Sequence, residues 1–286
     1  MVFVTRFAPS PTGYLHKGHA FSALTAFEAA READGRFILR IEDIDRTRCR
    51  PEYEAAIYED LAWLGLQWEE PVRRQSDHLA DYEAALERLK ARGLLYRCFR
   101  TRKELAEIQS APHGLPEPFR AGPLHPNEEE RWLEEGRPYA WRLSLDAARQ
   151  VVGNWAGLTF LEEGKGVVRA QPELAGDVVL ARKDVGVAYH LAVVVDDALQ
   201  GITHVIRGED LFEATHIQRL LQALLDLPTP VYRHHRLLTG PDGKRFAKRD
   251  RAETLRELRA RGVTADDVRA ELGSSPTHVG EVARQR

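Results

Sequence analysis

Apolar positions follow two rhythms along this chain. Residues 1–8 form a short apolar run, which predicts a strand entering a loop. From Ala20 the apolar residues fall at Ala20, Ala23, Leu24, Phe27 and Ala30, one face of a helix, with Gly35 as its stop. "RFILRIED" (36–43) is continuous enough for a buried strand whose carboxyl end delivers Glu42 and Asp43. Strand, loop, helix, strand is the order of a βαβ unit. Tyr53, Ile57, Leu61 and Leu64 share a second helical face, and Leu79, Tyr82, Leu86 and Leu89 a third. Residues 109–127 carry five prolines and no periodicity, so they read as a loop.

"YAWRLSLD" (139–146) and "GVVRA" (166–170) read as strands of a small inserted domain. The mostly apolar stretch 177–199 reads as β-rich, and "ITHVIRGED" (202–210) as another strand ending in charge. A helix then places Ala214, Ile217, Leu220, Leu221 and Leu224 on one side. "HHRLLTGPDGKRFAKRD" (234–250) is a glycine-bearing basic loop, followed by a charged, helix-like segment with a frayed last dozen residues. The pattern predicts an α/β protein: a parallel sheet interrupted by an insertion. Its strand ends near Ser10, Glu42 and Arg207 would share one crevice, where open α/β sheets bind ligands.

Composition narrows the setting. The chain has 286 residues, comfortable for two cores, and no run of 18 apolar residues, so no membrane span is expected. The first residues show no secretory leader. Cys49 and Cys98 form no CxxC pair, which points to a reducing, cytoplasmic compartment. The net charge of −3 hides local bias: residues 88–103 hold seven basic side chains and no acidic one, and 244–262 hold eight basic and three acidic. Each stretch fits either a solvated helix face or a surface for polyphosphate or RNA.

The densest chemistry lies in "RFAPSPTGYLHKGHA" (6–20). Pro9 and Pro11 stiffen the loop, while Gly13 and Gly18 allow a tight turn and close backbone approach. A helix starting near Gly18 offers unpaired N–H groups and a positive dipole end, an anion site at which His16 and His19 can donate to phosphate oxygens. Taken singly, either histidine is more simply a capping or packed imidazole; two bracketing a glycine at a helix start are less ordinary.

This stretch resembles the HIGH signature of class I aminoacyl-tRNA synthetases in its glutamyl form. "ILRIEDIDRTR" (38–48) and "YHLAVVVDDALQGITHVIRGEDL" (189–211) resemble two further blocks of that group, and "GKRFAKRD" (243–250) its KMSKS loop. The four occur in order across nearly the whole chain. With only 36 residues after Asp250, the length resembles the glutamyl-queuosine tRNA(Asp) synthetase family, which lacks a large helical anticodon-binding domain. The resemblance implies a Rossmann-like catalytic domain in two halves, 1–95 and 177–238. An acceptor-binding-like α+β domain would occupy 96–176, and the KMSKS-like loop with a short helical tail 239–286.

It also implies an activity: ATP-dependent activation of L-glutamate, then transfer to queuosine in the anticodon of tRNA(Asp), by a monomer with Mg2+ riding on the ATP. Alternatives are a paralogue charging an ordinary tRNA acceptor end, a non-catalytic nucleotide- or RNA-binding paralogue, and a small-molecule nucleotidyltransferase. Arg6 and Arg207 match the family's glutamate contacts, and their guanidinium forks suit the two carboxylates. Which takes which is open. Glu42 is the candidate for the α-ammonium, Ala8 and Ser10 match backbone and hydroxyl contacts, and Tyr189 matches a ring beside the substrate. Pro9, His16, Gly18, His19, Arg245 and Lys248 match the ATP site, with His16, His19 and Lys248 as the catalytic set. In the KMSKS-like loop only Lys248 keeps its identity; Arg245 stands for the first lysine and Ala247 for the serine. The family's zinc positions, Cys-x-Cys then Tyr-x3-Cys, hold Cys98, Arg100, Phe119 and Pro123. No zinc is expected from that set, even with His113 and His125 nearby, and Cys98 would be a packed thiol.

Overall fold

A computed structural model describes residues 2–100, 119–153, 155–182, 186–238 and 253–274. The first half of the chain runs β1 (Val4–Phe7), α1 (Lys17–Glu32), β2 (Arg36–Ile41), α2 (Pro51–Trp63), β3 (Arg73–Arg74), α3 (Leu79–Ala91) and β4 (Leu95–Cys98). The middle holds α4 (Pro126–Glu134), β5 (Ala140–Leu143), α5 (Leu145–Val152), β6 (Thr159–Glu162), β7 (Gly166–Arg169), β8 (Val179–Arg182) and β9 (Gly186–Val187). The remainder is α6 (Tyr189–Leu199), β10 (His204–Gly208), α7 (Phe212–Leu224), β11 (Val231–His235), α8 (Leu255–Ala260) and α9 (Ala265–Leu272). Among the described residues no helix is long and apolar enough to cross a membrane. Lys248, Arg245, Ala247, His113 and the last dozen residues lie outside the described residues.

β1 pairs in parallel with β2, and β2 with β3; β10 pairs in parallel with β11, and β11 with β6. β1 and β10 lie side by side, joined where the Thr203 amide donates to the Val4 carbonyl at 2.9 Å. Strand residues serve two cores in alternation. Val4, Ile38 and Val205 pack with α3, α6 and α7, whereas Phe7, Leu39 and Ile206 pack with α1, α2, α8 and α9. A sheet covered on both faces explains why its strands read as continuous apolar runs.

One expectation changes. Residues 189–199, read as β-rich, form α6, whose Leu191 to Asp197 are all buried. Seven consecutive buried residues leave no amphipathic rhythm, so the three consecutive valines imitate a buried strand. The β6–β7 hairpin extends the parallel sheet through β11, while β8 and β9 pair antiparallel with β5, which pairs with β4. Strand partners are chosen by tertiary packing, which a local pattern does not encode.

Candidate active site

α1 begins at the sequence's most unusual loop. His16 is its N-cap: Nδ1 of His16 accepts from the Gly18 amide at 3.1 Å, and Nδ1 of His19 accepts from the His16 amide at 3.2 Å. The rings stack with centroids 3.8 Å apart. With both Nδ1 atoms accepting, the proton of each neutral ring sits on Nε2, making that nitrogen a donor. Capping thus occupies the Nδ1 edge of each ring. A Cβ at Gly18 would lie 2.9 Å from Cε1 of His16, so an added side chain there would push on the capping ring.

The carboxyl ends of β1 and β10 and the start of α1 open onto one cleft of about 670 Å³. Arg6, Ala8, Pro9, Ser10, His16, Gly18, His19, Glu42, Tyr189 and Arg207 all line it, so every described candidate residue is brought together. The size suits a nucleotide with a small substrate. Behind the cleft stands an acidic pair that sequence reasoning did not single out. Asp197, at the end of α6, takes Nε and Nη2 of Arg6 at 3.0 and 3.3 Å and Nη1 of Arg40 at 2.8 Å. Asp196 takes Arg73 Nε at 2.7 Å, Gln75 Nε2 at 2.8 Å and the Tyr82 hydroxyl at 2.9 Å. The one signal was two acids in succession ending an apolar run.

Glu42 is buried, and Oε1 accepts from Nη2 of the fully buried Arg40 at 3.1 Å. Burial pushes its carboxyl above the usual range, against the pull of Arg40 and Arg6. Arg207 differs from Arg6. It is 5% exposed, and all its partners are neutral groups: His234 Nε2 at 3.1 Å, Thr215 Oγ1 at 2.7 Å, the Leu211 carbonyl at 3.1 Å and the Tyr189 hydroxyl at 3.5 Å. Neither Glu209 nor Asp210 neutralises it, and among the described residues no carboxylate does. A buried guanidinium without a counter-ion, facing a cleft, is a site for an anionic group.

The third structural contribution comes from the far end of the chain. Thr254 bridges His16 in antiparallel fashion, the Leu255 amide donates to Leu15 at 2.8 Å, and Lys17 holds Glu271 at 2.6 Å. α8 and α9 thus brace the loop that carries both histidines. In the inserted segment, Cys98 is buried, and the guanidinium groups of Arg100 and Arg142 lie 6.0 and 4.5 Å from the centre of the Phe119 ring. Those residues do not fit a zinc ion: arginine and phenylalanine offer no ligand atoms, and Cys98 is a single thiol.

Residues 2–271 match the family described as tRNA synthetases class I (E and Q), catalytic domain. The chain belongs to this family. It is a ligase of the aminoacyl-tRNA synthetase type, with the α/β fold of that class. This class I synthetase is 49% identical to a glutamyl-Q tRNA(Asp) synthetase of Rhodobacter capsulatus, over 94% of the chain and 99% of the relative. It is 44% identical to another so named from Symbiobacterium thermophilum, over 92% of the chain and 83% of the relative. A crystal structure of a glutamate tRNA ligase from Elizabethkingia meningosepticum in complex with its amino acid superposes with a TM-score of 0.74 at 30% identity. That match covers 88% of this synthetase and 53% of the other chain.

Proposed function

We propose that this synthetase activates L-glutamate with ATP and transfers it to queuosine in the anticodon of tRNA(Asp). The observation that carries the glutamate reading is Arg207, a buried guanidinium held only by neutral groups at the wall of the cleft. Arg6 and Arg207 receive the two carboxylates and Glu42 the α-ammonium. Ala8 and Ser10 contribute a backbone and a hydroxyl contact, with Tyr189 beside them. ATP lies along Pro9, Gly18 and the start of α1, its phosphates against the Nε2–H groups of His16 and His19 and the dipole end of the helix.

One α-carboxylate oxygen attacks the α-phosphorus, and pyrophosphate leaves with Mg2+. No protein nucleophile takes part; catalysis is positioning and charge stabilisation, to which Lys248 and Arg245 add positive charge. In the second step a ring hydroxyl of queuosine attacks the acyl carbon, and AMP leaves. Support for this acceptor is the similarity over nearly the full length of relatives named for it. A second acceptor is favoured by the relatives named glutamate–tRNA ligase, among them one of Methylobacterium that is 43% identical over 92% of this chain and 58% of its own length.

ATP–pyrophosphate exchange across all amino acids tests the first step. Turnover with glutamate alone, lost in Lys248→Ala, is expected; exchange with another amino acid, or undiminished exchange in the variant, refutes it. Labelled glutamate offered to tRNA(Asp) with and without queuosine, and to tRNA(Glu), separates the acceptors.

A further inference from the structure

Glu162 and His234 lie behind Arg207, away from the lining of the cleft. Glu162, buried on the β6–β7 hairpin, accepts from the His234 amide through Oε1 at 2.8 Å and meets its ring nitrogen Nδ1 through Oε2 at 2.7 Å. On the other side of the ring, Nε2 lies 3.1 Å from Nε of Arg207. An arginine only donates, so Nε2 must be the acceptor and the ring proton must sit on Nδ1, donated to Glu162. Burial and the charge of Arg207 hold the imidazole in this neutral form, with its pKa pushed down to about 4.

We propose that His234 is a positioning residue for substrate selection: it fixes the Arg207 fork through a neutral acceptor while keeping a carboxylate out of contact with it. The inference rests on the reading of Arg207 as a glutamate contact. Arg6 and Arg207 line the same cleft. Arg6 is oriented by direct contact with Asp197, which also cancels much of its charge. Arg207 is held by hydrogen bonds to His234, Tyr189, Leu211 and Thr215, and the carboxylate of this network, Glu162, is one imidazole ring away. Its charge fixes the tautomer without quenching the guanidinium. The positive charge then remains for an acidic side chain in the cleft, and a neutral amide in that place would leave it uncompensated.

Glutamate-dependent exchange tests this with three substitutions at one position. His234→Gln presents an amide oxygen as a neutral acceptor and should hold KM for glutamate within roughly tenfold of wild type. His234→Glu, made together with Glu162→Gln so that no second carboxylate shares its proton, offers an acceptor that carries charge and should raise KM for glutamate by on the order of a hundredfold while KM for ATP stays nearly constant. His234→Ala should fall between them. Equal KM values for the Gln and Glu variants, or a parallel rise in KM for ATP and glutamate, overturn the proposal. The reading beneath it fails differently: Arg207→Ala would then keep the wild-type KM for glutamate, whatever the His234 variants do.

Discussion

Arg6 gives two nitrogens to Asp197, whereas among the described residues Arg207 hydrogen-bonds to a ring nitrogen, two hydroxyls and a carbonyl and lies over the Tyr232 ring, all neutral groups. Removing Arg207 should therefore cost substrate binding more than folding. Arg207→Ala is expected to raise KM for glutamate at least roughly a hundredfold, the loss of a charge-assisted contact. Steady-state exchange with a thermal melt on the same sample checks both halves. Glu42 supplies a pH dependence. Its pKa is raised, so in the free enzyme the carboxyl binds a proton more tightly than an exposed glutamate does. Only the ionised form attracts an ammonium, so kcat/KM for glutamate should rise with pH on the acid side. Glu42→Gln should flatten that limb as well as lowering it; a profile unchanged in shape would remove Glu42 from the role.

At the scale of elements, the start of α1 and the α2–α8 contact make separate predictions. Gly18→Ala would drive a methyl into His16, so the cap must open. A loss of about 1 kcal/mol in stability is expected with a larger fall in exchange rate, measured by denaturant titration and kinetics. On α2, Asp60 is fully buried, neither carboxylate oxygen is hydrogen-bonded, and Arg259 of α8 lies 3.4 Å away. Burial raises its pKa to about 6. A raised carboxyl pKa favours the folded state at low pH and loses that advantage as pH climbs from the unfolded value through the folded one. Asp60→Asn should therefore gain stability relative to wild type between about pH 4 and pH 6 and hold the gain above that, as read from Tm. Helices with one wet face, α1, α2, α3 and α7, were legible in the sequence because their apolar stripes repeat. α6 was not, since its residues from Leu191 to Asp197 are all buried. The lining of the cleft was legible through short blocks of chain. Asp197, His234, Thr215 and Glu162 were not, because their partners lie 191, 27, 8 and 72 residues away along the sequence.

For the whole molecule, Asp196 and Asp197 act as a junction. Through Arg6, Arg40 and Arg73 they tie β1, β2 and β3 to α6, which lies on the far side of the inserted segment. Asp197→Asn leaves two buried guanidinium groups short of a full counter-charge. It should cost roughly 3–5 kcal/mol, against near-neutral effects at exposed pairs such as Arg36–Glu69, and urea titration would show the contrast. α8 and α9 add a second junction through Lys17, Thr254 and Leu255, so the histidine loop is braced by the chain's far end.

The acidic junction has a consequence for synthesis on the ribosome. Strands carrying Arg6 and Arg40 emerge first, yet the aspartate that meets both of them emerges more than 150 residues later. A nascent chain stopped near residue 176 holds two arginines destined for a dry interior and lacks the carboxylate they share. Such a fragment should stay loose and sensitive to protease, and should harden only once α6 and the strands and helix that follow it, through residue 235, have cleared the exit tunnel.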